Sequence, residues 1–96
     1  MIEYIHNAIK ATAGEDITVA AKIYNADGFE VSSGCALRLY DKDNESMIIR
    51  VSGTKYTDKW QFTIPADITK DLRGKYWYCF CKDGERLCFA QPIYLV

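Results

Sequence analysis

The chain is poor in the residues that most catalysis and membrane insertion demand. It has one histidine, two prolines and no apolar run near the roughly 20 residues that cross a bilayer. His6 has no serine or cysteine motif to pair with, so neither a triad nor a histidine-based acid–base pair is indicated. There is no GxGxxG and no P-loop. Neither sign of charge dominates, with 12 basic residues, 13 acidic residues and a net charge of −1. That balance gives nucleic-acid binding little electrostatic support. The opening MIEYIHNAIKAT carries Glu3 and His6 and no continuous apolar core, so no signal peptide is expected. These absences point away from an enzyme, a cofactor, a nucleic-acid partner and a membrane, and toward a soluble chain.

What is present is a small β-rich domain. Hydrophobic residues make up 49% of the chain against 26% charged, a globular composition. The 96 residues fit one domain, 1–96. A domain of this size buries only roughly two-thirds of its unfolded surface, so every apolar face matters. Periodicity is two. Ile17, Val19, Ala21 and Ile23 alternate with Thr18, Ala20, Lys22 and Tyr24. Asn25-Ala26-Asp27-Gly28 reads as a turn. CALRLYD, SMIIRVSG and KWQFTIP read as strands, the last ended by Pro65. The acidic run Asp41-Lys42-Asp43-Asn44-Glu45 lacks the sixth-position glycine and twelfth-position glutamate of a calcium loop and reads as a solvated turn. Residues 66–73 form the one segment with helical character, two turns at most. The first ten residues are expected to form one more strand, with Ile2, Tyr4 and Ile9 in the core. Seven to eight short strands with turns between them predict an all-β antiparallel sandwich.

The stretch from Leu72 to Ala90 poses a problem. It predicts a hairpin turning at Asp83-Gly84, with both faces apolar. Regular pairing places Phe80 opposite Leu87, Cys79 opposite Cys88 and Tyr78 opposite Phe89. Tyr76, Tyr78, Phe80, Leu87 and Phe89 then share the core face. Trp77, Cys79, Cys81, Cys88 and Ala90 share the outer face, with only Arg86 polar. Such a strip is either an interaction surface or is covered locally by the chain itself.

The four cysteines, Cys35, Cys79, Cys81 and Cys88, admit three readings. Cys79 and Cys88 could form a cross-strand disulfide, though it would close a short loop. Cys79-x-Cys81 with Cys88 could hold a metal, but the paired Cys-x₂₋₄-Cys spacing of structural zinc is missing. Free thiols acting as small hydrophobes are the favoured reading.

Leu72-Arg73-Gly74-Lys75-Tyr76-Trp77-Tyr78 resembles the L-x-G-x-Y-x-Y stretch entering the penultimate strand of immunoglobulin-like domains. The resemblance implies that Tyr76 bonds back to upstream backbone. The wider layout includes Gly14-Glu15-Asp16-Ile17-Thr18, Tyr24-Asn25-Ala26-Asp27-Gly28, Gly34-Cys35-Ala36-Leu37 and Trp60-x-Phe62-x-Ile64-Pro65. Gly74 and the Asp83-Gly84 turn complete it. It resembles the Ig-like β-sandwich modules of tailed-bacteriophage virions, found in head-decoration, tail and baseplate proteins. That resemblance implies a structural protein with no catalytic residues. Its partners would be other virion proteins, among them capsid or copies of itself. It would be made in the host cytoplasm and located in the virion, most simply as a capsid auxiliary or head-decoration subunit. The alternatives are a tail or baseplate component, or a sandwich whose outward Trp77, Tyr40 and Tyr24 stack on a surface glycan.

Overall fold

A computed structural model describes residues 2–5, 8–25 and 27–96; His6 and the turn residue Ala26 lie outside the described residues. Among the described residues ten strands and one short helix follow in order. They are β1 (Ile2–Ile5), β2 (Ala8–Ala11), β3 (Ile17–Ala21), β4 (Cys35–Tyr40) and β5 (Met47–Ser52). Then come β6 (Thr54–Lys55), β7 (Trp60–Ile64), α1 (Ala66–Thr69), β8 (Gly74–Lys82), β9 (Glu85–Arg86) and β10 (Gln91–Leu95). The all-β expectation holds. The strand count is higher because the amino-terminal segment forms two strands, not one, and because β6 and β9 are two-residue pairings.

The strands make two sheets. The larger runs β1-β2-β10-β8-β4-β5 with β9 attached to β8, and the smaller runs β3-β7-β6. Their facing sides form the core. Val19, Trp60, Phe62 and Ile64 from the small sheet meet Ile9, Leu37, Leu39, Tyr78, Ile93 and Leu95 from the large one. Alternation along each strand puts these side chains on one face, as the period of two demands. Phe62 stacks between Trp60 and Phe80, with ring centroids 6.3 and 5.2 Å away. The Trp60 indole N–H is buried and donates to the Val31 carbonyl at 2.8 Å, so its polar atom is satisfied.

Gly53 sits where a strand backbone crosses these rings. A Cβ built there would lie 2.5 Å from Phe62 Cε1 and 2.8 Å from Trp60 Cε3, so only glycine fits. The helical segment is shorter than expected: α1 covers four residues, started by Pro65 and by an amide–carboxylate bond from Ala66 N to Asp16 Oδ1 at 2.8 Å. Lys70 to Arg73 continue as turn and coil, because Gly74 at φ 105° then starts β8.

Candidate functional site

The hairpin turns where the sequence indicates. Asp83 and Gly84 have φ of 50° and 88°, the paired positive values of a type I′ turn. Lys82 pairs with Glu85 and Cys81 with Arg86, and Leu87 N donates to the Phe80 carbonyl at 2.9 Å. Regular pairing stops there. On the next register positions β10 has slid by two residues, so Tyr78 pairs with Gln91 and Tyr76 with Ile93. Residues 88–90 leave the ladder.

This corrects the expected pairings of Cys79 with Cys88 and Tyr78 with Phe89. The reason is visible in what the offset buries. Continued regular pairing would set Gln91 against Tyr76 in the core. The two-residue offset keeps every side chain on its own face and instead places Ile93 and Leu95 in the core, each 1% exposed. Phe89 is the residue displaced. Assigned to the core from sequence, it stands 90% exposed.

On the outer face the second of the two readings, cover by the chain itself, holds for Cys79 and Cys81. Tyr76 and Tyr78 point into the core as foreseen, and Trp77, Cys79 and Cys81 occupy the other face. Yet Cys79 and Cys81 are 0% and 1% exposed, so they present no open strip. The cover comes from β4, which pairs with β8 so that Ala36, Arg38 and Tyr40 oppose Cys81, Cys79 and Trp77. Tyr40 is 5% exposed. The Arg86 guanidinium lies 4.4 Å from the Tyr40 ring centroid, and Arg38 Nη1 donates to the Tyr40 hydroxyl at 3.3 Å. The Cys81 thiol faces the Ala36 carbonyl at 3.4 Å. Ala36, Tyr40, Cys79 and Cys81 thus form a second small buried cluster, covered by Arg38 and Arg86 through their contacts with Tyr40.

All four cysteines are free thiols, Cys35, Cys79 and Cys81 buried and Cys88 exposed. Burial pushes the Cys79 thiol up, and neighbouring Cys81 adds to this while Arg86 opposes it. Burial likewise raises Cys81 against the pull of Arg38 and Arg50, and raises Cys35 against Lys82. These are protonated packing groups, not activated nucleophiles. Among the described residues no group of histidine, cysteine and carboxylate side chains is placed to hold a metal.

The remaining singled-out residues have local roles. The Tyr76 hydroxyl accepts from the Arg73 amide at 3.3 Å, a bond back to upstream backbone. Trp77 is half-buried, with Lys75 Nζ 4.5 Å from its ring centroid and its indole N–H directed at the Lys42 carbonyl at 3.4 Å. Ala90 is half-buried on the displaced segment, and Pro92 takes the place opposite Trp77. The ring faces of Tyr40 and Trp77 are therefore occupied by the chain's own cations, and Tyr24 stands apart at its bridge with Glu30. They do not form an open coplanar platform for a sugar.

Leu87 packs against the core as expected, and the feature that sequence reasoning missed is the departure of Cys88-Phe89-Ala90 from the ladder. Its signal was Pro92, a residue with no ladder donor, which marks a place where the return strand departs from simple pairing. A shallow cavity lies beside it, lined by Tyr78, Phe80, Cys88, Phe89 and Gln91. No helix among the described residues is long and apolar enough to cross a membrane. Comparisons with protein-family models, with curated proteins and with solved structures find no match for the chain.

Proposed function

We propose that the chain is a non-enzymatic structural subunit that works through protein–protein contacts, with Phe89 as its anchor. The observation that carries this reading is the 90% exposure of Phe89 on a segment lifted from the ladder. A phenyl ring left in water forgoes roughly 2 kcal/mol of burial. Burial against a partner recovers it, and aromatic anchors of this kind dominate interface energetics. Cys88 and Ala90 flank the anchor in the chain, and Tyr78, Phe80, Cys88 and Gln91 line the cavity beside it.

The turn pattern's resemblance to Ig-like virion modules supports placing the subunit in a phage-like particle. There it would act as a capsid auxiliary or head-decoration protein that contacts neighbouring copies and other virion proteins. Sedimentation velocity in reductant tests the reading. The wild-type chain is expected to associate with rising concentration, and Phe89→Ala to weaken that association about 30-fold, the loss of roughly 2 kcal/mol. An oligomer indifferent to the substitution would remove Phe89 from the contact. A chain that is monomeric at every concentration would overturn self-assembly.

A further inference from the structure

The outer face of the large sheet is cationic although the chain as a whole is not. Register places Arg50 opposite Arg38 across β5 and β4, and Arg86 beside Cys81 on β9. Lys75 opposes Tyr94, which in turn neighbours Lys10 on β2. All five cations occupy outward positions. Register pairs Lys10 with Glu3 of β1 at the sheet edge. Lys55, on the other sheet, pairs with Glu30 at 3.0 Å. Arg38 and Arg50 are moreover directly cross-strand, an arrangement that destabilises a sheet unless an anion offsets it.

The complementary charge is on the same molecule. One end of the sandwich is built from residues 13–16, 41–46 and 65–73. Gly14 N to Thr69 Oγ1 at 3.1 Å and Ala66 N to Asp16 Oδ1 at 2.8 Å tie the first and last of these together, and 41–46 is held beside them on β8, where the Lys42 carbonyl accepts from Trp77 and Lys42 Nζ lies 5.6 Å from the Tyr76 ring centroid. These segments carry seven carboxylates against three cations. The 41–46 turn is its outermost part, with Asp41, Asp43 and Glu45 exposed. The Ser46 and Glu45 amides and the Ser46 hydroxyl lower the pKa of the Asp43 carboxyl.

We propose that the basic outer face of the large sheet docks the acidic 41–46 end of a second copy of this chain, so that copies join face to end. The inference rests on the assembly reading and names its partner. Base stacking on a single-stranded nucleic acid is disfavoured, because Arg86 and Lys75 already cover the Tyr40 and Trp77 rings. A face-to-end contact is heterologous. It propagates from copy to copy and closes into a ring only if the rotation permits.

The test uses two charge reversals at exposed positions, Arg50→Glu on the face and Glu45→Lys on the end. Each variant alone is expected to stay monomeric where the wild type associates. Mixed in equal amounts they should associate again, because the intact face of one meets the intact end of the other and the two reversed charges are themselves opposite in sign. Raising salt from about 0.05 to 0.5 M should weaken wild-type association about tenfold or more, as the screening length shortens. Unfolding midpoints of both variants serve as the folding control. Association unchanged by both reversals but lost in Phe89→Ala would overturn face-to-end docking while leaving the assembly reading standing. Loss of neither would count against both. Binding of a labelled oligothymidine by the wild type, abolished by Arg50→Glu, would overturn the second copy as occupant in favour of nucleic acid.

Discussion

Replacing Tyr40 by alanine opens the sealed cluster on the outer face of the large sheet. The ring is 5% exposed, packs under Arg86 at 4.4 Å and accepts a hydrogen bond from Arg38. Buried aromatic-to-alanine substitutions cost about 3–5 kcal/mol, less where the surroundings can collapse into the space. The cover here is flexible arginine stems, so the low end, about 3 kcal/mol, is expected. That is a large share of the ~5–15 kcal/mol that stabilises a typical domain. Thiol labelling with an aromatic disulfide reagent in native buffer reads the local effect. In the wild type Cys88 should react at once and the three buried thiols slowly. In Tyr40→Ala, Cys79 and Cys81 should react far faster, while Cys35 stays protected because it packs in the main core on the opposite face. Equal acceleration of Cys35 would show only global loosening, and rapid reaction of all four wild-type thiols would refute the sealed cluster.

Other outcomes follow from the same structure. Gly53→Ala should destabilise the fold by about 1–3 kcal/mol, since its Cβ meets the Phe62 and Trp60 rings, and a denaturant titration checks it. Alkaline pH should destabilise the chain. The three buried thiols titrate higher folded than unfolded, so their contribution is full below the unfolded thiol value of about 8.5 and is lost as pH rises through the folded values. The unfolding midpoint should fall above that pH, with a shallower slope in Cys79→Ala/Cys81→Ala.

Much of the fold could be read from alternation alone. Ile17 and Val19, Trp60, Phe62 and Ile64, and Tyr76 and Tyr78 all fall on the core face, because a period of two fixes faces without knowledge of strand partners. The Asp83-Gly84 turn was equally legible, since its chemistry is local. What escaped depended on partners. The cover over Cys79 and Cys81 required knowing that β4 lies beside β8 in a register that sets Arg38 and Tyr40 against them. The exposure of Phe89 required knowing that β10 slides by two residues to bury Ile93 and Leu95. A shift of two leaves the facial pattern unchanged, so nothing in the alternation betrays it. The cationic outer face was hidden for a related reason. A net charge of −1 averages over a basic sheet and acidic turns that only the topology separates.

The most direct test of the account places a photoreactive benzoylphenylalanine at position 89 of the purified chain. Irradiation at concentrations where the chain associates should give covalent products at twice the 11.0 kDa chain mass, mapping to a neighbouring copy and diminishing on dilution. Cross-links confined to the same chain, unchanged on dilution, would show that Phe89 packs at home and would contradict its role as the anchor of assembly.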